Sequence, residues 1–108
     1  MRSSIASPQR NIEVRIDWRP LAEEDLAEIV RYIAAESPQA AYQIHDRIRE
    51  TASLLVAHTH LGRAGRVKGT RELVISGTPF KAAYRVTKSA VSILRILHGA
   101  RKWPDELR

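Results

Sequence analysis

Cationic side chains recur at strand spacing in the second half of this chain. In FKAAYRV, residues 80–86, Lys81 and Arg85 alternate with Phe80, Ala82, Tyr84 and Val86. Alternation sends the two sets to opposite faces of a strand. Arg95 lies in the next apolar run, His98 closes that run, and Arg101, Lys102 and Trp103 follow soon after. Gathered together, such groups would bind an anion, either the phosphates of a nucleic acid or an acidic polypeptide. His98 could also carry a proton, because an ordinary imidazole titrates near neutrality. Trp103, between Lys102 and Pro104, is the type of aromatic that anchors binding hot spots. Each residue has a structural alternative. Lys81 and Arg85 can simply be the solvated face of a sheet. Arg95, flanked by Ile93 and Leu97, can snorkel or pair with a carboxylate such as Glu72. His98 can cap or pack the strand end, and Trp103 can pack the tail onto the sheet.

Other chemistries find little support. The chain has no cysteine, so thiolate catalysis, disulfides and Cys-ligated zinc are excluded. His58 and His60 are separated by one residue and suggest a metal with His45. No positioned carboxylate completes that set, so neither metal nor cofactor is expected. The net charge of +6 is divided unevenly. Residues 1–58 hold seven Arg and nine Asp or Glu, net −2, and residues 59–108 hold eleven Lys or Arg and three acids, net +8. A one-sided field of this kind favours an anionic partner and gives salt-sensitive affinity without specificity.

The elements that position these residues follow from periodicity. Residues 1–10, MRSSIASPQR, hold little to bury and read as a disordered leader, with one domain over residues 11–108. Ile12, Val14, Ile16 and Trp18 alternate with polar residues, which predicts a half-buried strand at 11–18. Pro20 suits the first helical turn, Glu23, Glu24 and Asp25 favour the positive end of the helix dipole, and Ala22, Leu26, Ile29, Val30 and Ile33 form a helical stripe over 20–36. Ser37-Pro38 then reads as N-cap and first position of a second helix. Its stripe is Ala41, Ile44, Ile48, Ala52, Leu55 and Val56. Residues 57–68 have no period and read as a loop.

Three further strands, at 71–75, 80–86 and 91–97, form a meander with turns at Gly77-Thr78-Pro79 and 87–89. The expected fold is α+β, in the order β-α-α-β-β-β, with an antiparallel helical hairpin on one face of a small, mainly antiparallel sheet. Tyr84 and Val86 should face the helices. Uninterrupted alternation in the last strand places Leu94 and Ile96 there too, which leaves Lys81, Arg85 and Arg95 on the open face. No apolar run is long enough for a signal peptide or a bilayer span, so no membrane association and a cytoplasmic location are expected.

The GTREL segment at 69–73, FKAAYRV at 80–86 and ILRILHGARKWP at 93–104, in this order of elements, resemble the RelE/ParE superfamily of toxins from bacterial type II toxin–antitoxin, or plasmid-stabilisation, modules. The resemblance covers about residues 12–104. It implies a small toxin neutralised by a cognate antitoxin whose acidic, partly disordered segment wraps it. It also implies one of two targets. RelE-like members cut messenger RNA on the ribosome, and ParE-like members poison DNA gyrase without a hydrolytic site.

Metal-free RNA cleavage needs a group to deprotonate the 2′-hydroxyl, cations on the phosphorane, and an acid for the leaving oxygen. By resemblance, Lys81 occupies the strand position where the RNA-cutting branch carries Arg, and Arg101 matches a basic residue after its last strand. The C-terminal catalytic Tyr of that branch has no counterpart here, and Arg63, Arg66 and Lys68 replace its paired basic residues only loosely. The ParE-like reading, a gyrase-binding toxin that is not an enzyme, is therefore preferred. A metal-independent endoribonuclease using Lys81 and Arg101 is the alternative, and a non-toxic remnant that only binds antitoxin is the third.

Overall fold

The computed structural model describes residues 14–99. The leader, residues 11–13 of the expected first strand, and Arg101, Lys102 and Trp103 lie outside the described residues. The elements are β1 (Arg15–Trp18), α1 (Pro20–Ala34), α2 (Pro38–Ser53), a single 3-10 turn (Leu54–Val56), β2 (Arg63–Ala64), β3 (Arg71–Val74), β4 (Phe80–Val86) and β5 (Ala90–His98). They make one five-stranded sheet in the order β1-β5-β4-β3-β2. β1 runs parallel to β5 and every other neighbour is antiparallel.

Local chemistry accounts for the helical hairpin. Pro20 opens α1, whose last turn tightens as the Ile33 carbonyl accepts from the Glu36 and Ser37 amides, satisfying carbonyls a helix end leaves open. The Ser37 hydroxyl then accepts from the Ala40 amide at 3.1 Å and Pro38 begins α2, as an N-cap followed by proline requires. Ala22 and Leu26 of α1 and Ala41, Ile48 and Ala52 of α2 are buried. With Leu55, Ile75, Ala82, Tyr84, Val91, Ile93 and Ile96, most of these form the core between hairpin and sheet. Val56, expected in the stripe, is 42% exposed. The chain has wound into a 3-10 turn by then, and its tighter period rotates Val56 outward.

The last strand departs from simple alternation. Ala83 pairs with Arg95 but Tyr84 pairs with Ile93, so Leu94 is an extra residue on β5. Such a bulge reverses the phase of everything beyond it. Val91 and Ile93 before the bulge and Ile96 after it therefore all enter the core. The expectation held for Ile96 and failed for Val91, Ile93 and Leu94, because a period of two has no place for the extra residue. Two apolar faces on β5 were the trace of this bulge.

Residues 57–68 are not wholly irregular either, since Arg63 and Ala64 pair with Glu72 and Arg71 and add a fifth strand. Two residues are too few to register as a period. No helix among the described residues is long and apolar enough to cross a membrane.

Candidate functional site

Lys81 stands on the sheet face away from the helices, as its phase predicts, but this face is not solvated around it. Its Nζ lies 2.7 Å from Glu72 Oε1, with side-chain exposures of 8% and 7%. Glu72 reaches it diagonally across the β3–β4 ladder, where Val74 pairs with Lys81 and Glu72 with Ala83. The other carboxylate oxygen accepts from the Arg66 amide at 3.2 Å, and the Arg66 guanidinium approaches to 4.0 Å. The β2–β3 turn thus folds over the pair. A buried ammonium matched by a carboxylate is already neutralised, and exposing it to a phosphate would require breaking that match.

Arg95 has its carboxylate partner on a different element from the one expected. Its Nε and Nη2 donate to Asp25 of α1 at 2.7 and 2.9 Å, while Glu72 is engaged by Lys81. The cause is the length of β1. It pairs with β5 only over residues 90–93, leaving the outer edge of β5 beyond the bulge to α1. There Asp25 also accepts the Ile96 amide at 3.0 Å. An edge covered in this way satisfies a backbone donor that a strand would otherwise expose. The open-face position of Arg95 is set by its pairing with Ala83, yet its charge is spent on this edge.

His98 pairs with Phe80 and Lys81 with Leu97, so His98 and Lys81 lie on opposite faces. The His98 ring meets Phe80 edge to face, with centroids 5.9 Å apart. It borders a groove of about 520 Å³ walled by Asp25, Glu28, Ile29 and Tyr32 of α1 together with Phe80 and Ile96. The structure therefore does not bring the expected proton carrier together with the expected cation. Arg85 remains half-exposed near the β2–β3 turn, and Arg101, Lys102 and Trp103 are outside the described residues. His45 contacts its neighbour Asp46, and His60 its neighbour Thr59. No group of three His, Asp or Glu among the described residues could hold a metal.

One buried centre escaped the periodicity. Tyr84, fully buried, accepts the Gly62 amide at 2.8 Å and donates to the Thr59 carbonyl at 2.9 Å. Arg71 donates to the Gly62 carbonyl from the other side. Burial raises the Tyr84 phenol above its ordinary value of 10.0, against the opposing pulls of the Gly62 amide and the Arg71 charge. These bonds hold the turn before β2 against the sheet. A Cβ on Gly62 would stand 2.7 Å from the Glu72 carbonyl and 2.8 Å from the Tyr84 ring, so only glycine fits. The signal available beforehand was a glycine in a polar stretch, which says nothing about its partner. Trp18, expected in the core, packs against it, and the Arg49 guanidinium covers its ring at 4.3 Å. Glu23 holds that guanidinium at 2.7 Å.

Comparison with known proteins agrees with this architecture. The family model described as ParE toxin of type II toxin-antitoxin system, parDE, matches residues 16–103. A Sinorhizobium fredii protein named as a candidate toxin, Y4kP, is 38% identical over 93 residues, covering 86% of this chain and 96% of its own. The chromosomal ParDE toxin–antitoxin system of P. aeruginosa contains a chain that superposes with a TM-score of 0.73 at 31% identity, over 82% of this chain and 98% of that one. In the RelBE2 toxin–antitoxin complex of Mycobacterium tuberculosis the match is 0.59 at 20% identity, over 81% and 99%, a likeness that bears on the fold.

Proposed function

The chain belongs to the ParE toxin family of type II toxin–antitoxin systems, and from that premise we propose that it is a binding toxin that inhibits DNA gyrase and is held inactive by a cognate antitoxin. The observation that supports this reading over RNA cleavage is the state of Lys81. The cation that a ribonuclease would turn toward the phosphorane is buried against Glu72, and the described proton carrier, His98, lies across the sheet from it. Acid–base catalysis needs its groups within hydrogen-bond reach of one reacting centre. Inhibition by surface contact needs no such convergence. The solved relatives belong to toxin–antitoxin systems, which supports an antitoxin partner here, and the basic second half suits an acidic antitoxin segment.

The test is induced expression without antitoxin, following labelled precursor incorporation into DNA and into protein over the first minutes, beside a supercoiling assay with purified gyrase. Early loss of DNA synthesis and of supercoiling is expected. Early loss of translation with normal supercoiling would instead assign RNA cleavage through Lys81 and Arg101. Ordinary growth would assign a remnant that only binds antitoxin.

A further inference from the structure

The sheet topology collects cations at one end, most of them without a carboxylate partner among the described residues. The end of β2, the β2–β3 turn, the end of β4, the β4–β5 turn and the start of β1 all lie there, as the register of Ala64 with Arg71, Arg71 with Tyr84, Val86 with Val91 and Arg15 with Ala90 requires. Arg66 and Lys68 stand in the first turn, Lys88 in the second, and Arg15 at the start of β1, all exposed. The Arg15 amide donates to the Ser89 carbonyl at 3.0 Å, joining β1 to the Lys88 turn. Gly69, at φ +84, brings the other turn against Arg85, whose Nε would lie 3.9 Å from a Cβ there. Among the described residues, Arg15, Lys68, Arg85 and Lys88 form no ion pair with a carboxylate. Of the described acids on these strands, Glu72 is buried and spent on Lys81, and Asp17 of β1 is paired with Arg19. The acids of α1 are set away from this end, since the helix begins after β1 and Asp25 reaches Arg95 and Ile96 in the second half of β5.

We propose that this end of the sheet is a binding site for the phosphate backbone of duplex DNA. Long cations without carboxylate partners neutralise phosphates and release the counterions that condense on a double helix. A protein partner would be expected to meet apolar anchors. The most exposed ones lie elsewhere, with Tyr32 and Tyr42 on the hairpin and Val74 at the far end of β3, while the half-exposed Leu54 and Leu61 belong to the segment leading into β2 and not to either turn. Single strands would require aromatic platforms for stacking, and the turns at this end carry none. The choice of a DNA over an RNA duplex rests on the gyrase reading, since a toxin acting on a topoisomerase works beside DNA. The binding itself does not require gyrase.

The purified chain should therefore bind a labelled DNA duplex, read by fluorescence anisotropy, more tightly than an RNA duplex or a single strand. With about four phosphates neutralised, raising salt from 50 to 200 mM should weaken binding roughly a hundredfold. Lys68→Gln with Lys88→Gln should reduce that loss to about tenfold, with an unchanged thermal melt because both sites are exposed turns. Arg31→Gln with Arg47→Gln, an equal loss of charge on the helical hairpin, where Arg47 reaches the β3–β4 turn at the opposite end, should leave the salt dependence as it was. Equal weakening by both pairs, tighter binding to either RNA, or no duplex binding at 50 mM salt would overturn the proposal. The supercoiling assay stands apart, so gyrase inhibition without duplex binding would sink this site and leave the toxin reading intact.

Discussion

Removing Lys81 should damage this protein through its fold before it touches any chemistry. Lys81→Ala takes from the Glu72 carboxylate, 7% exposed, its buried ammonium partner, leaving beside it the Arg66 amide and, at 4.0 Å, the half-exposed Arg66 guanidinium. Removing one member of a buried pair typically costs about 3–5 kcal/mol, against a total stability of about 5–15 kcal/mol for a domain. A loss of toxicity in that variant would therefore look catalytic while being conformational. The discriminating variant is Glu72→Gln with Lys81→Met. It deletes both charges, keeps an amide oxygen for the Arg66 N–H and fills the lysine volume with an apolar chain. Replacing a buried pair by neutral groups of similar volume is often neutral or stabilising, so the double variant should recover most of what Lys81→Ala loses in urea unfolding. If Lys81 is structural, the double variant should also arrest growth when expressed without antitoxin. A double variant as stable as the parent but unable to arrest growth would refute the reasoning, because only the charged groups of the Lys81–Glu72 pair would then separate the two.

Two further variants test the lock beneath β2. Tyr84→Phe strands the Gly62 amide and the Thr59 carbonyl and should cost about 1–3 kcal/mol in chemical denaturation. It should also change the alkaline limb. The folded phenol has its pKa raised above 10.0, so its contribution is fully present below pH 10 and is lost as pH rises through the folded value. The parent should lose stability there more steeply than Tyr84→Phe does. Gly62→Ala forces a methyl into the Glu72 carbonyl and the Tyr84 ring and should be at least as damaging as overpacking usually is, about 1–3 kcal/mol, read as a lowered melting temperature. An unperturbed melt would mean that the turn before β2 shifts freely and that Tyr84 does not fix it.

What could be read in advance was whatever has a period or a cap. Ser37-Pro38 marked the helix junction because the cap chemistry is local. FKAAYRV gave β4 at its observed bounds because the strand alternates without interruption. The misread parts share a different cause, which is that they depend on partners distant in the chain. The bulge at Leu94 is an accommodation between β4 and β5. The two residues of β2 become a strand only because Glu72 and Arg71 receive them. Arg95 found Asp25 rather than Glu72 because β1 is too short to cover the end of β5, and strand length relative to a neighbour is not written in either segment.

The same distinction separates the cations. On the chain, Lys81, Arg85 and Arg95 look equivalent, three basic residues among apolar ones. Folding neutralises Lys81 with a carboxylate from the neighbouring strand and Arg95 with one from α1, and leaves Arg85 without a carboxylate beside the turn of Arg66 and Lys68. Among the described residues, the cations of the second half that lack a carboxylate are thus not spread over a sheet face. Lys68, Arg85 and Lys88 gather at one end with Arg15 of β1, and the proposed phosphate contact would be made from there.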